Sequence, residues 1–325
     1  MYKVASLFCG CGGADQGCVG DFDFNGHHYE KLPFDIVYAT DIDQKAIDSY
    51  KLNFSSEEVV CGDICEISEH SIPDCDVVLG GFPCQSFSTV NPTKDPFDDR
   101  ANLYKQMVRV ITAKKPKAFI AENVKGFMTL HGGKIFRTVI GAFEEAGYIA
   151  YPKLINAAYY GVPQKRERCI IVGIRKDITA QFVFPDETTR DSLVPLSVAV
   201  PELAIKEEKY YFSQRAVEGM KKAKPNMKRG LWQNLDEPCL TVTSHLAKVS
   251  LNSRDPVLLV DPDKELYRRF TPREAARIQS FPDSFTFAGS EACAYRQIGN
   301  AIAPAMFWHI AKAVADFLDT NSPTT

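Results

Sequence analysis

The chain has 325 residues, 45% of them hydrophobic and 24% charged, and a formal net charge of −3, which is typical of a globular protein with a sizeable core. No apolar run approaches the ~20 residues of a membrane span, and the start does not have the pattern of a signal peptide, so we expect a cytoplasmic protein without membrane contact. The ten cysteines contain no C-x-x-C pair, which argues against disulfides and a zinc cage and predicts reduced thiols and no bound metal.

Short β-branched runs alternate with helix-like patterns up to about residue 175, which predicts an α/β fold with a doubly wound, mostly parallel sheet. The predicted strands are residues 4–8, 35–39, 59–61, 76–79 and 118–121, and the predicted helices are 44–53, 101–113 and 133–146. Residues 148–156 and 169–174 follow without a helix between them. We expect them to close the sheet as an antiparallel pair.

From about residue 180 to 265 prolines separate short segments and the periodic pattern is lost, which predicts a smaller, irregular, β-rich domain. Thr271, Pro272 and Glu274 then have the pattern of a helix start, and a last helix with one apolar face is expected from about residue 303 to 318. We therefore expect residues 1–178 plus 268–325 to form one domain and residues 179–267 a second.

Charge is distributed unevenly between the two halves of the chain. Residues 1–150 carry 14 Lys and Arg against 21 Asp and Glu, whereas residues 151–325 carry 24 against 20. A basic C-terminal half is suited to a phosphate backbone, and an acidic N-terminal half to something cationic. Chance scatter of surface charge explains the same counts.

A glycine-rich turn, FCGCGG at residues 8–13, directly follows the first predicted strand. Glycines there let the backbone turn sharply and approach a ligand. Asp41 ends the second strand and Asp63 the third, so a ribose and an adenine amino group would each find a carboxylate at the same edge of the sheet. A structural turn or a dinucleotide site explains the glycines nearly as well, but the short spacing and the two acids favour a sulfonium nucleoside.

The segment after the fourth predicted strand, GGFPCQSFS at residues 80–88, holds Cys84 at a strand end above the expected cleft. A thiol fixed there is placed to attack a substrate, and Glu122 at the end of the fifth strand can face the same cleft. Carbon 5 of cytosine becomes nucleophilic once a thiolate adds at carbon 6, and a proton donor toward N3 lowers the barrier to that addition. The alternative is a buried structural thiol beside a solvated or ion-paired acid.

These residues resemble the DNA (cytosine-5)-methyltransferase family of the bacterial restriction-modification type. The similarity lies in the Phe-x-Gly-x-Gly-Gly, Pro-Cys-Gln and Glu-Asn-Val elements. It continues in order through QKRER at residues 164–168, TPREAARIQSFP at 271–282 and YRQIGNAI at 295–302. Six elements in the same order and spacing argue against a chance match.

The resemblance implies a Rossmann-like methyltransferase fold that uses S-adenosylmethionine, releases S-adenosylhomocysteine and methylates cytosine in double-stranded DNA. Cys84 would be the nucleophile and Glu122 the group at N3, while Arg166 and Arg168 would help to hold the extruded base and the cleft. The cofactor would be surrounded by Phe8, Gly10, Gly12, Asp41, Ile42, Asp63, Ile64, Pro83, Leu103 and Asn300. We expect a prokaryotic monomer and a cognate restriction endonuclease that acts separately.

A ring carbon inside a duplex is out of reach, so the target base must be flipped out. We expect residues 86–100, with Ser86 and Ser88, to form a loop that closes over DNA. The basic domain would read the sequence from the major groove, and its residues Thr241 and Thr243 lie in a stretch that resembles the family's recognition segment. The candidates for phosphate contacts are Lys221, Lys222, Lys224, Lys228 and Arg229, each of which is otherwise a solvated charge.

Three alternatives stay open at this point. A transfer RNA cytosine-5 methyltransferase uses the same chemical elements, a catalytically idle DNA-binding regulator would keep the fold, and a NAD-dependent oxidoreductase would share the glycine-rich turn. The basic insert favours duplex DNA over RNA. The intact set of Cys84, Glu122 and Arg168 argues against an idle protein, and the sequence lacks a nicotinamide-binding constellation.

Overall fold

The computed structural model describes residues 1–83, 103–222, 232–248 and 256–321. The strands are β1 (Tyr2–Leu7), β2 (Phe22–Phe24), β3 (His27–Tyr29), β4 (Phe34–Asp41), β5 (Glu58–Cys61), β6 (Val77–Gly80), β7 (Ala118–Val124), β8 (Tyr148–Asn156), β9 (Gln164–Lys165), β10 (Glu167–Arg175), β11 (Cys239–Leu240), β12 (Leu258–Asp261) and β13 (Leu266–Arg268). The α-helices are α1 (Gly13–Val19), α2 (Gln44–Asn53), α3 (Leu103–Lys114), α4 (Lys134–Glu145), α5 (Gln214–Lys222), α6 (Pro272–Ile278), α7 (Glu291–Asn300) and α8 (Pro304–Asn321).

The predicted sheet is confirmed. Seven strands form it in the order β5-β4-β1-β6-β7-β10-β8. The pairs β4–β5, β1–β4, β1–β6 and β6–β7 are parallel, and β10 is antiparallel to both β7 and β8. All four residues of β6 are buried, as expected for a parallel strand covered on both faces.

The two faces of the sheet are covered by different helices. Val4 on one face packs with Cys18 of α1 and Ile310 of α8 in one buried cluster, while Ala5 on the opposite face packs with Met107 of α3 in another. The strand order reverses at β1, which lies between β4 and β6. Because ligands of open α/β sheets bind at such a switch point, outside the carboxyl ends of the strands, this edge is where a site is expected.

A β-hairpin that the sequence analysis does not predict joins α1 to β4. Strands β2 and β3 pair antiparallel around Asn25 and Gly26, whose φ angles are 50° and 71°. Positive φ at both central residues is what a two-residue hairpin turn requires, and Asn-Gly is its preferred sequence. The Phe22 and Tyr29 rings stack with centroids 4.7 Å apart, and Tyr29 meets Trp308 of α8.

The described part of residues 179–267 is irregular, as predicted, and its β structure is limited to the short strands β11, β12 and β13 beside the helix α5. Strand β11 pairs in parallel with β9. Leu196, Val242 and Leu258 pack with Phe270 and Ile298 in a third buried cluster. This segment is therefore joined to β9, in a two-stranded sheet separate from the main one, and to the C-terminal helices. The domain boundaries at residues 178 and 268 stay predictions.

The C-terminal helices begin as the sequence predicts. The Thr271 side chain accepts a hydrogen bond from Glu274 N, and the Glu274 carboxylate accepts one from Thr271 N, which is a complete capping box. The stretch Glu291–Asn321 is long and apolar enough to cross a membrane, but 61% of its most apolar window is buried inside the protein, which identifies it as part of the core. All nine cysteines within the described ranges are free.

Candidate active site

The loop after β1 follows a backbone path that few side chains allow. Phe8, Gly10 and Gly12 have φ angles of 56°, 57° and 96°, in the left-handed region that glycine adopts without strain. In a bulky residue such as Phe8 this conformation costs about 1–3 kcal/mol and is found mainly where function requires it. A Cβ atom on Gly12 would lie 2.2 Å from the Phe54 ring, so only glycine lets the loop pack against the end of α2.

Asp41, at the end of β4, fixes this loop from the neighbouring strand. Its Oδ2 accepts a hydrogen bond from Gly10 N at 2.9 Å, and its Oδ1 accepts one from Asp43 N at 2.9 Å. Burial raises the pKa of the Asp41 carboxyl, and these backbone hydrogen bonds oppose the rise. Each carboxylate oxygen keeps a second lone pair, which can accept a hydrogen bond from a ribose hydroxyl. Asp41 can therefore serve as the predicted ribose acceptor while it holds the loop in shape.

A cavity of about 1250 Å³ opens at this edge of the sheet. Nine of the ten predicted cofactor residues line it, namely Phe8, Gly10, Asp41, Ile42, Asp63, Ile64, Pro83, Leu103 and Asn300. Gly12 is the exception because it faces Phe54. The predicted residues Glu122, Arg166 and Arg168 line the same cavity, so elements that are distant in sequence converge on one space.

The lining suits a nucleoside with a positively charged tail. Ile42 leaves 69% of its surface exposed and offers an apolar contact for a base. No atom of the described residues lies within 4 Å of a Cβ placed on Gly10, which leaves that backbone open to a ligand. Three buried polar atoms of lining residues, Asp15 Oδ2, Thr40 Oγ1 and Arg166 Nε, have no hydrogen-bond partner in the described parts of the chain, as is expected where a ligand or water completes a site. The residues present therefore fit S-adenosylmethionine.

Glu122 and Arg168 form an ion pair in the wall of the cavity. Arg168 Nε lies 2.8 Å from Glu122 Oε1, and the side chains are only 12% and 14% exposed. In the β7–β10 pair Glu122 is opposite Ile170 and Arg168 is opposite Val124, so the two side chains are diagonal neighbours on one face of the sheet. Burial raises the pKa of the Glu122 carboxyl, although the positive charge of Arg168 opposes the rise.

Asn123 is a site residue that the sequence analysis misses. Its side chain is buried, with Nδ2 donating to Phe82 O at 3.0 Å and Oδ1 accepting from Val124 N at 2.9 Å. The first bond fixes the backbone two residues before Cys84, which itself lies outside the described residues. The Glu-Asn-Val element contained the signal for this role, because a polar side chain at the end of a buried strand needs hydrogen-bond partners.

Arg166 is buried beneath the cavity and connects three chain segments. Its Nη1 donates to Val242 O at 3.0 Å, and its Nη2 donates to Gly299 O at 2.9 Å and Ala301 O at 3.0 Å. Burial lowers the pKa of its guanidinium, and the nearby charge of Arg168 acts in the same direction. The resemblance implies two roles for Arg166, which are to hold the extruded base and to support the cleft. These contacts fit the second role.

Some of the predicted DNA contacts lie within the described residues, and the others lie outside them. Thr241 Oγ1 donates to Lys165 O at 2.8 Å, and Thr243 Oγ1 accepts from His245 N at 3.1 Å; both threonines are partly exposed. On α5, Lys221 pairs with Glu265, and Lys222 is exposed. The following predicted residues lie outside the described part of the chain: Ser86, Ser88, Lys224, Lys228 and Arg229.

Known proteins share both the sequence and the fold of this chain. The family described as C-5 cytosine-specific DNA methylase matches residues 2–316. The Type II methyltransferase M.NgoFVII of Neisseria gonorrhoeae is 35% identical over 98% of this chain and 88% of its own length, and M1.ScrFI of Lactococcus lactis subsp. cremoris is 35% identical over 98% and 79%. The structure of DNMT2 from Spodoptera frugiperda has the same fold, with a TM-score of 0.77 at 19% identity over 97% of this chain and 99% of its own. The chain belongs to the C-5 cytosine-specific DNA methylase family.

Proposed function

We propose that Cys84 and Glu122 carry out the cytosine-5 methylation that the family performs, Cys84 by attacking carbon 6 of a flipped-out cytosine in duplex DNA and Glu122 by acting at N3. The observation that carries this assignment is the buried pair of Glu122 and Arg168 in the wall of the cofactor cavity. Pro83, the residue before Cys84, lines that cavity as well.

In this cavity, the residues that would bind the cofactor are different from those that would activate the base. Asp41 and Asp63 offer acceptors for the ribose hydroxyls and the adenine amino group, and Ile42 offers an apolar face for the adenine ring. When bound, S-adenosylmethionine supplies a methyl group on a positively charged sulfur. Expulsion of water by the two ligands strengthens every charge interaction in the cavity.

Glu122 acts on the other side of the cavity. Because burial raises the pKa of its carboxyl, it holds a proton at a higher pH than an exposed glutamate does. Addition of a thiolate at carbon 6 places negative charge toward N3 of the base, and a proton donor there stabilises that charge. Arg168 engages Oε1, which orients the carboxyl. A Cβ atom on Gly81 would lie 3.5 Å from Oε2, so the glycine leaves room beside that oxygen.

The test is a DNA duplex that contains 5-fluorocytosine, incubated with the protein and S-adenosylmethionine. Fluorine cannot leave as a proton does, so a covalent protein–DNA adduct should accumulate. We expect Cys84→Ala to abolish the adduct and Glu122→Gln to slow it by about 10²–10⁴-fold. Cys75→Ala, at a partly buried thiol that does not line the cavity, is the matched control and should react as the unaltered protein does. An adduct that persists in Cys84→Ala would reject the assignment.

A second measurement addresses the RNA alternative. Methyl transfer from tritiated S-adenosylmethionine is compared on duplex DNA and on transfer RNA. We expect incorporation into DNA, with little into RNA. Preferential methylation of transfer RNA would instead identify RNA as the substrate.

We also propose that the chain is a cytoplasmic prokaryotic monomer that protects DNA from a separate restriction endonuclease. The support is that the relatives are named Type II methyltransferases. Light scattering should give a monomer mass, and a plasmid methylated by the chain should resist the endonuclease whose target it shares. If every endonuclease tested still cut the methylated plasmid, the result would argue against the proposed pairing of this chain with a restriction endonuclease.

A further inference from the structure

Asp15 is a buried acid at the cofactor cavity to which the proposed mechanism gives no role. It belongs to the first turn of α1, just after the glycine-rich loop, with no exposed surface, and it lines the cavity. Its Oδ1 accepts a hydrogen bond from the Tyr50 hydroxyl at 3.0 Å, and the nearby Ser6 hydroxyl acts to lower the pKa of the carboxyl. Oδ2 has no hydrogen-bond partner within the ranges that the structure describes.

Among the residues that the structure describes, no neighbouring cation balances the charge of Asp15. Burial raises the pKa of the carboxyl to about 6, and none of the described groups that act on it is a lysine or arginine. The groups on which its charge acts are Cys9, Cys11, Cys18 and Tyr50, and the pKa of each is raised, mainly by burial. These four are neutral at pH 8, at which Asp15 is largely ionised. A buried carboxylate with an unpaired oxygen is unfavourable unless another interaction offsets it.

The other acids of the cavity differ from Asp15 in this respect. Both oxygens of Asp41 accept backbone N–H bonds, and Asp63 Oδ1 accepts one from Cys65 N. Glu122 is paired with Arg168, and Asp43 is paired with Arg296 at 3.0 Å. Asp15 is therefore the fully buried acid of this lining that keeps a carboxylate oxygen without a hydrogen-bond partner among the described residues.

We propose that Asp15 recognises the positive charge of the cofactor: its carboxylate, which no described residue balances, favours the cationic methionine half of S-adenosylmethionine over ligands that lack that charge. The inference rests on the proposed use of S-adenosylmethionine. In a cavity walled by protein, charges act over longer distances than in water, so the effect requires no direct contact between Asp15 and the ligand. The cost of the buried acid is offset when a cation enters.

Three ligands that share the adenosine moiety test this directly. S-adenosylmethionine carries a sulfonium besides the ammonium and carboxylate of its amino-acid end, S-adenosylhomocysteine carries that ammonium and carboxylate without the sulfonium, and 5′-methylthioadenosine carries none of these charges. Their dissociation constants are measured by calorimetry at pH 8 for the unaltered protein and for Asp15→Asn. We expect the substitution to weaken binding of S-adenosylmethionine by roughly tenfold or more, and to change that of 5′-methylthioadenosine by less than about twofold. The loss for S-adenosylhomocysteine reports whether the ammonium is one of the charges recognised.

Two further variants separate recognition of charge from an effect on folding. Asp48→Asn removes the same charge from the surface of α2, away from the cavity, and should leave all three affinities unchanged. Asp15→Glu keeps the charge and should keep the preference for S-adenosylmethionine over 5′-methylthioadenosine, even if it binds both more weakly. Thermal melts without ligand verify that each variant is folded.

Equal losses for the three ligands in Asp15→Asn would overturn the inference, since they would show that Asp15 only shapes the loop. Unchanged affinity for S-adenosylmethionine would overturn it too. If the unaltered protein bound none of the three, the proposed use of the cofactor would fail instead, so the two failures are distinguishable.

Discussion

Gly299 lies so close to Thr243 that a Cβ atom on the glycine would be 2.3 Å from the Thr243 carbonyl oxygen. Gly299 precedes Asn300, which lines the cofactor cavity, and Thr243 belongs to the stretch that resembles the family's recognition segment. The contact is between two backbones, and Arg166 reinforces it by bonding to Val242 O and Gly299 O. The recognition-like stretch and the cofactor cavity therefore share one rigid contact.

Gly299→Ala tests this contact. The added methyl group would overlap backbone atoms of Thr243 and Ser244, which cannot move aside as a flexible side chain can. We expect a loss of about 1–3 kcal/mol in the free energy of unfolding, with weaker binding of S-adenosylhomocysteine because Asn300 is displaced. Both are measured by urea denaturation and calorimetry.

The control is Gly219→Ala in α5, where no atom in the described ranges lies within 4 Å of the added Cβ. Alanine has the higher helix propensity, so this variant should gain about 0.5–1 kcal/mol. Opposite signs for the two substitutions are the expected result. A stable Gly299→Ala protein with unchanged ligand affinity would contradict the contact.

Arg166→Met tests whether the buried guanidinium holds the cleft together. The substitution preserves much of the volume but removes the donors to Val242 O, Gly299 O and Ala301 O, and buried carbonyls without partners are costly. We expect the free energy of unfolding to fall by about 1–3 kcal/mol. Urea denaturation measures it.

The comparison variant is Lys165→Met, the neighbouring residue, whose ammonium makes an exposed ion pair with Glu237. It should change the free energy of unfolding by less than about 1 kcal/mol. Equal effects of the two substitutions would mean that the buried network adds little to stability.

Asn123→Ala should impair the reaction more than the binding of the cofactor. Without the amide, Phe82 O loses its donor, and the turn that leads to Cys84 is no longer fixed to β7. Because small misplacements of reacting groups slow catalysis strongly, we expect adduct formation with 5-fluorocytosine DNA to slow by about 10–100-fold. The affinity for S-adenosylhomocysteine should change by less than threefold, or about 0.6 kcal/mol. A loss in affinity as large as the loss in rate would assign Asn123 to the cofactor site instead.

The strands of the sheet and the position of the site could be predicted from the sequence because they follow from local patterns. Apolar runs give the parallel strands, and the ends of those strands hold Asp41, Asp63 and Glu122. Helix α2 has the predicted bounds, 44–53, since Asp43 accepts from Lys45 N and Ala46 N as its N-cap. Signals of this kind depend only on residues that are close together in the sequence.

The remaining features depend on contacts between residues that are distant in sequence. Arg166 bonds with residues 76 to 135 positions away, and no local pattern shows that its guanidinium is buried. Gly12 belongs to the glycine-rich motif but faces Phe54 rather than the cavity, which depends on where α2 ends. The hairpin at Asn25 and Gly26 is different, because its Asn-Gly signal was present in the sequence.

Asp15→Asn should stabilise the protein at the pH at which it weakens binding of the cofactor. Burial raises the pKa of Asp15 from 3.8 to about 6, so between these values the folded protein holds a proton that the unfolded chain has released. Stability therefore falls as the pH rises through this range, and the loss is complete above the folded pKa. We expect Asp15→Asn to raise the free energy of unfolding by about 1–3 kcal/mol at pH 8.

The gain from Asp15→Asn should shrink toward pH 4, because the acid is then increasingly protonated in both states. Urea denaturation at pH 8 and at pH 4 measures both values. A gain of the same size at both pH values would mean that it does not arise from the charge of Asp15.

His309 lowers the stability of the folded protein at low pH, whereas Asp15 lowers it at high pH. Burial, together with the charge of His27, lowers the pKa of its imidazole from 6.5 to about 4, and the ring is packed among Tyr29, Tyr160 and Trp308. As the pH falls below 6.5, the unfolded chain takes up a proton that the folded protein does not, so stability is lost down to the folded pKa. His309→Phe keeps an aromatic ring in this cluster and removes the proton. The variant should therefore gain stability relative to the unaltered protein between pH 8 and pH 5, as measured by urea denaturation at both pH values. If the difference between the two proteins were the same at pH 8 and pH 5, the buried imidazole would not be the cause of the loss at low pH.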